Sequence, residues 1–385
     1  MKVLVAHNRY RSGLPSGENS VVDDDIDLLR RSGVDVVPLI EESDSIAELG
    51  LRGRLGVAAG PVYNPAGVGR MRAMLATQRP DVVHVHNVFP LLSPWIVREA
   101  HEVGVPVVQT VHNFRQDCVS GTYFRDGQVC TDCTGHRLAT PALRHGCYRG
   151  SRLQTLPMII GRSTHRSTWG SVDRFLVLTA FHAAYLESLG IPADRIVVRP
   201  TSAPDPGVVS APGRDVLFVG RLDAEKGVEL LLDAWSRHEP GSRHLVVVGD
   251  GPLSGLVSER AAADPTIEYR GLLCPADVAT EMEAAAAVAL PSVWLEGLPR
   301  VAIEAMAHGR PVLAVDHGGL STVVDSDSGW LLPADACAWA TAFSDLTELD
   351  VRRRGEGARR TYQARFNQAV TTGQLLATYE DVLAS

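Results

Sequence analysis

Short apolar runs alternate with stretches of helical periodicity along almost the whole chain, which is the pattern of parallel strands covered by helices. In the first half the runs predict strands at Lys2–Ala6, Asp35–Leu39, Asp81–His86, Val105–His112, Arg174–Leu178 and Ile196–Val198. Helix-like segments lie between them, among them Asn19–Ser32, Gly67–Gln78 and Ser93–Val103. A second series predicts strands at Asp215–Val219, His244–Val248, Ile267–Tyr269, Ala287–Leu290 and Val312–Val315, again with helices between. The series are separated by RPTSAPDPGVVSAPGR, Arg199 to Arg214, whose four prolines and small residues interrupt all periodicity. The chain thus reads as two open α/β domains, 1–198 and 215–365, joined by a linker at 199–214. A last helix over 366–385 is placed to return to the first domain.

Composition narrows the class. A chain of 385 residues is too long for one ordinary core and suits two domains. A formal charge of −8 argues against general nucleic-acid binding, which needs basic surface to release counterions. No apolar run is long enough to span a bilayer, and MKVLVAHNRY lacks the apolar core of a signal peptide, so the expected location is cytoplasmic. Six cysteines in such a compartment do not suggest a disulfide framework.

The chemistry concentrates in GRLDAEKG and EGLPRVAIE. Arg221 and Lys226 follow a predicted strand directly, at the end where open α/β sheets bind ligands. An apolar run ending in Trp294 and Leu295 reads as a buried strand, with Pro299 as the first residue of a helix carrying Glu304. The free amides and positive dipole at such a helix start attract an anion, and two nearby cations would make a phosphate or diphosphate site. Glu296 and Glu304 must then bind something else, most simply hydroxyl groups. The plain alternatives are local ion pairs: Arg221 with Asp223 and Glu225, and Arg300 with Glu304. Gly249 and Gly251 in VVGDGP end another strand, either as a close backbone approach to a nucleotide or as an ordinary turn. Gly17, in SGEN before the first helix, is placed to offer an amide to a diphosphate or to sit in a capped loop.

His112 ends the strand VPVVQTVH. His84 and His86 alternate onto one face of a neighbouring strand, and with no carboxylate at ligand spacing they read as structural or acceptor-lining. Cys118, Cys130, Cys133 and Cys147, spaced C-x11-C-x2-C-x13-C, fall in an irregular insertion at about 113–150. Four thiolates suit a tetrahedral structural zinc fastening a segment too polar for its own core; four free thiols or two disulfides are the other readings. Between Thr134 and Arg174 seven arginines face one aspartate, Asp173, beside the apolar LQTLPMII. That segment reads equally as a membrane-contacting surface or as a solvated basic helix.

In order along the chain, SGEN, DVVHVHN, QTVHNFR, FVGRLDAEKG, VVGDGP, YRGLL and WLEGLPRVAIEAMAHGRPVLAVDHGG resemble the motifs of retaining family 4 glycosyltransferases (glycosyl transferases group 1 type). The resemblance implies the GT-B fold, two Rossmann-like domains facing across a cleft, the first on the acceptor side and the second holding a UDP- or GDP-sugar. It implies that Arg221 and Lys226 hold the diphosphate, that Glu296 and His112 lie by the donor sugar, and that Glu304 binds the ribose. Gly297, Leu298, Pro299 and Arg300 would approach the donor through their backbone, and Gly271 and Leu272 would border the base. Pro299 and Arg300 depart from the small or apolar pair of many members.

By the same resemblance the reaction is front-face substitution onto a hydroxyl of a small molecule, glycan or lipid-linked acceptor, with no catalytic cofactor. Some members share the HN…C…FRDG…C-x2-C…CYRGS order of the insertion. A nucleotide-sugar epimerase of the same shape, or a donor-binding scaffold without catalysis, are the rival readings.

Overall fold

The computed structural model describes residues 1–12, 16–238, 241 and 243–384. They form two compact units, one of residues 1–125, 130–199 and 372–385 and the other of 126–129 and 200–371.

The strands of the first unit are β1 (Lys2–Arg9), β2 (Asp35–Glu42), β3 (Val82–Val85) and β4 (Val107–Val111), then a small ribbon of β5 (Phe124–Arg125) and β6 (Gln128–Val129), then β7 (Arg174–Val177) and β8 (Ile196–Val198). The main sheet is parallel in the order β2-β1-β3-β4-β7-β8. Val3 to Ala6, Val82, Val83, Val107 and Val108 are buried because helices cover both faces, which is why these strands are continuous apolar runs. The helix Gly17–Arg31 follows β1 and is capped by Ser16, whose hydroxyl accepts from the Asn19 amide at 3.3 Å. It is tied to the far side of the sheet by a buried bidentate pair: Arg199, just past β8, donates to both oxygens of Asp25 at 2.8 and 2.6 Å. In the helix Gln368–Ala384, residues 372 onward belong to this unit, with Leu375, Tyr379 and Val382 in its core.

The second unit holds β9 (Asp215–Val219), β10 (Leu245–Val248), β11 (Ile267–Gly271), β12 (Ala285–Leu290), β13 (Val312–Val315) and β14 (Gly329–Leu332). They pair in parallel in the order β11-β10-β9-β12-β13-β14, which is the dinucleotide-binding arrangement that reverses direction beside the first strand. Its core gathers around Trp235, Trp339 and Phe343.

Two local expectations are corrected. The apolar run does not stay extended to Leu295, because β12 ends at Leu290 and Pro291 brings no N–H to continue the ladder. Pro299 caps the next helix rather than opening it: its ψ of 128° is extended, and the helix runs Arg300–Ala307. The edge strand β14 is four residues, three of them only partly buried, too short and mixed to stand out in the apolar pattern.

Candidate active site

Loops leaving β9, β12 and β13 converge at the carboxyl end of the second sheet. Beyond β9, the Asp223 side chain accepts from the Lys226 amide at 3.2 Å and closes the short turn Ala224–Lys226. That turn presents the Lys226 ammonium to Glu296, 2.5 Å from Oε1, and Ser292 donates to the same oxygen at 2.7 Å. The ammonium also lies 5.4 Å from the centre of the Trp294 ring. Glu296 is buried, which pushes its carboxyl up, but Lys226 and the Ser292 bond outweigh burial and hold it below the usual carboxylate range. Two residues seventy apart in sequence thus form one preset ion pair.

The loop carrying Glu296 is held from behind by DHGG. The Gly319 amide donates to the Glu296 carbonyl at 2.7 Å, and a Cβ on Gly319 would stand 1.7 Å from the Gly297 carbonyl oxygen. Gly318 and Gly319 close the motif DHGG, but no spacing in the sequence marks them for this role. Gly249 makes a similar approach: at φ +141°, its Cβ would fall 1.9 Å from the Gly220 carbonyl oxygen. Gly251 follows, with its amide donating to Ser254 Oγ at 2.9 Å. Gly271 ends β11 with a positive φ, and Leu272 beyond it is exposed. Leu298 is buried, while Gly297 and Pro299 are partly so.

The plain alternatives for two other charges are realised. Arg221 is exposed and pairs with Asp223 at 3.0 Å and Glu225 at 3.2 Å, and Arg300 pairs with Glu304 at 2.9 Å. Burial pushes the Glu225 carboxyl up, Asp223 adds to this, and Arg221 and Lys226 oppose it.

In the first unit a row of histidines crosses the strand ends. His86 Nδ1 lies 2.9 Å from His112 Nε2 with the rings stacked, and His84 packs on His86 at 4.3 Å between ring centres. His84 is fully satisfied, by the Tyr379 hydroxyl and Thr110 Oγ1, both at 2.7 Å, so its role is structural. His7 on β1 meets Asn19 of SGEN at 3.0 Å. Burial drives His112 down to about 4 and His84 to about 3, and lowers His86 well below its ordinary value. The row is neutral at pH 7.

His86 and His112 line a pocket with Glu18, Gln109, Arg115 and Gln116. Four buried atoms there have no partner among the described residues: His86 Nε2, Gln109 Oε1, Arg115 Nε and Gln116 Oε1. Two are amide carbonyls and two are ring or guanidinium nitrogens, a set that suits hydroxyl groups able to donate and accept. Of these residues only His86 and His112 are expected near a ligand from the sequence. The signal for the rest is the polar Gln109 within VVQTV. Gly17 opens its helix at the surface, with open space around it.

The four cysteines do not fit a zinc site. Among the described residues no group of three or more His, Cys, Asp or Glu is placed to hold a metal ion. Burial pushes the Cys133 and Cys147 thiols up, and neighbouring thiols add to it. Nor does the insertion lack a core: Val119, Ala139, Ala142, Met158 and Ile159 are buried together, with Cys133, Cys147 and Tyr148 packed on them. Arg162 pins it further through a buried pair with Asp117 and bonds to the His136 and Cys133 carbonyls at 3.0 and 3.3 Å, while Tyr123 donates to Asp117 at 2.7 Å.

Two Rossmann-like units, with glycine-lined strand ends and, in the second, a Lys–Glu pair whose carboxylate is buried, define a protein of the GT-B class. A family model described as glycosyl transferases group 1 matches residues 213–348, and one described as a glycosyl transferase 4-like domain matches 16–202. The D-inositol 3-phosphate glycosyltransferase of Saccharomonospora viridis is 33% identical over 83% of this chain and 74% of its own. The phosphatidyl-myo-inositol mannosyltransferase of Mycobacterium leprae is 29% identical over 84% of this chain and 79% of its own. Among solved structures, the sucrose-phosphate synthase of Thermosynechococcus elongatus matches with a TM-score of 0.75 at 20% identity, covering 100% of this chain and 99% of that one. Anabaena Alr3699/HepE in complex with UDP matches with a TM-score of 0.68 at 16% identity, covering 99% and 100%. The chain belongs to the group 1, family 4 glycosyltransferases, and is a glycosyltransferase of that family.

Proposed function

We propose that this enzyme transfers a sugar, with retention, from a UDP- or GDP-sugar held by the second unit to a hydroxyl of an acceptor taken up by the first. The observation that carries the reading is the Lys226–Glu296 pair, assembled from two loops at the carboxyl end of the sheet with Arg221 beside it on the β9 loop. Negative charge grows on the leaving diphosphate as its bond to the sugar breaks, so cations fixed in advance lower the transition state more than the ground state. Lys226 is such a cation. Arg221 sits in exposed ion pairs worth about 0–1 kcal/mol, which a diphosphate can displace.

Glu296, kept ionised by Lys226, is suited to accept from sugar hydroxyls, and Glu304 from the ribose once Arg300 turns away. The backbone from Gly297 to Arg300, with Gly249, Gly251, Gly271 and Leu272, is assigned to the nucleotide, and the Gly17 amide to the diphosphate. Neutral His112 donates or accepts a hydrogen bond at the sugar without adding charge. The departing phosphate takes the acceptor proton, so neither an enzymic nucleophile nor a metal is called for. The polyol relatives and the unpartnered polar atoms around Gln109 favour a polyhydroxylated acceptor, with a glycan or lipid-borne hydroxyl in the same class.

The location proposed is cytoplasmic, with peripheral membrane contact through 134–174; no helix among the described residues is long and apolar enough to cross a membrane. Thermal stabilisation by a panel of nucleotide-sugars finds the donor, and product analysis by NMR then reads the anomeric configuration. Inversion of configuration would sink the retaining mechanism. Sugar interconversion without acceptor would support an epimerase, and binding without turnover a scaffold.

A further inference from the structure

The helix Arg152–Thr164 buries one side, through Thr155, Met158, Ile159 and Arg162, and turns apolar side chains outward on the other. Leu153 is 85% exposed, Leu156 44% and Ile160 43%, and their i, i+3, i+7 spacing lines them along one stripe. Unlike an ordinary surface helix, it carries apolar side chains on both its buried and its exposed side. Gly161 seats the helix so closely that a Cβ there would meet the Pro61 carbonyl oxygen at 2.2 Å, so the outward stripe is fixed rather than free to roll inward. Around it Arg137, Arg144, Arg149, Arg152 and Arg166 are exposed, and none has a carboxylate partner among the described residues. Residues 134–172 contain no Asp or Glu at all, in a chain whose net charge is −8.

We infer that this face is a docking surface for an anionic bilayer, with Leu153, Leu156 and Ile160 entering the headgroup boundary and the arginines meeting lipid phosphates. The charge accounts for an anionic partner, and the leucines select a lipid one: a nucleic acid does not reward exposed aliphatic side chains, while a convex apolar stripe edged by arginine lies flat on an interface. The surface is independent of the transfer reading, since no residue in it belongs to the donor site.

The test is co-sedimentation of the full chain, without nucleotide, with vesicles of phosphatidylcholine alone or with a third phosphatidylglycerol. Binding is expected only to the anionic vesicles, and it should weaken as salt rises from about 0.1 to about 0.5 M. Reversing three charges, Arg144→Glu, Arg149→Glu and Arg152→Glu, should cut partitioning by about a hundredfold or more. Leu153→Ser, Leu156→Ser and Ile160→Ser together should cut it by at least about tenfold, with UDP binding measured on the same samples left unchanged. No binding of the wild-type chain, or equal binding to neutral vesicles, overturns the inference. So does binding that the serine variant retains while the charge variant loses it, which would assign the surface to a polyanionic macromolecule instead. Vesicle binding and donor binding are read separately, so failure of one leaves the other standing.

Discussion

Glu296 is buried and neutralised by the partly exposed Lys226, so removing either should have two separable effects. Lys226→Ala is expected to lower kcat by about a hundredfold to a thousandfold, the usual scale for losing one preset transition-state charge. It should also cost about 3 kcal/mol of stability, because Glu296 is left buried and unpaired. The double variant Lys226→Met, Glu296→Gln should recover most of the stability and none of the activity, which urea melts and turnover would separate. Full activity in Lys226→Ala would remove the residue from the transition state. Arg221→Ala, by contrast, should leave stability within about 0.5 kcal/mol while raising the donor KM, since its ion pairs are exposed.

At the scale of elements, two loops and an insertion depend on contacts that can be broken one at a time. Gly319→Ala has to push the Gly297–Pro299 segment away, since its new methyl would overlap the Gly297 carbonyl. The expected result is a loss of about 1–3 kcal/mol and weaker donor binding by calorimetry, with the first unit's melting untouched. In the insertion a buried pair, Arg162 with Asp117, ties the segment down. Arg162→Met should cost about 3–5 kcal/mol and open residues 118–150 to protease, because Asp117 is then buried without its partner. Cys130→Ser and treatment with a strong chelator should both leave the melting temperature within about 2 °C; a large chelator effect would restore the zinc reading.

For the whole molecule, the row of neutral histidines links stability to pH. His84 and His112 have folded pKa values of about 3 and about 4, below the ordinary 6.5, so the unfolded chain binds more protons between those values. Stability attributable to them is complete above about pH 6.5 and falls as pH drops toward 4. For His84 alone the cost at pH 5 is about 2 kcal/mol, at roughly 1.4 kcal/mol per pH unit. His84→Gln, which keeps a partner for Tyr379, should flatten that slope in melts taken from pH 7 to pH 5. An unchanged slope would show that other groups carry it.

Much of the two-sheet layout could be read from the chain because a parallel strand buried on both faces is written as an uninterrupted apolar run. β8, β9 and β13 fall where those runs do, residue for residue. The same reading overran at Leu295, where apolarity continued but Pro291 ended the ladder, and it missed β14, whose half-buried GWLL carries no such run. The site was legible as a list of residue types at strand ends. Its pairings were not, since hydrogen-bond partners far apart in sequence leave no spacing to find. Lys226 with Glu296, Arg199 with Asp25, and His86 with His112 all came only from tertiary structure. The zinc reading found no support for a related reason: four cysteines give ligand count and chemistry, but only the folded insertion shows that its side chains already make a core. What the sequence determined by itself is the alternation and the identity of the charged groups, because these follow from local periodicity and composition. Which charges meet, which histidines stay neutral and which leucines remain outside was decided by packing, because burial and pair distance exist only once the chain has closed on itself.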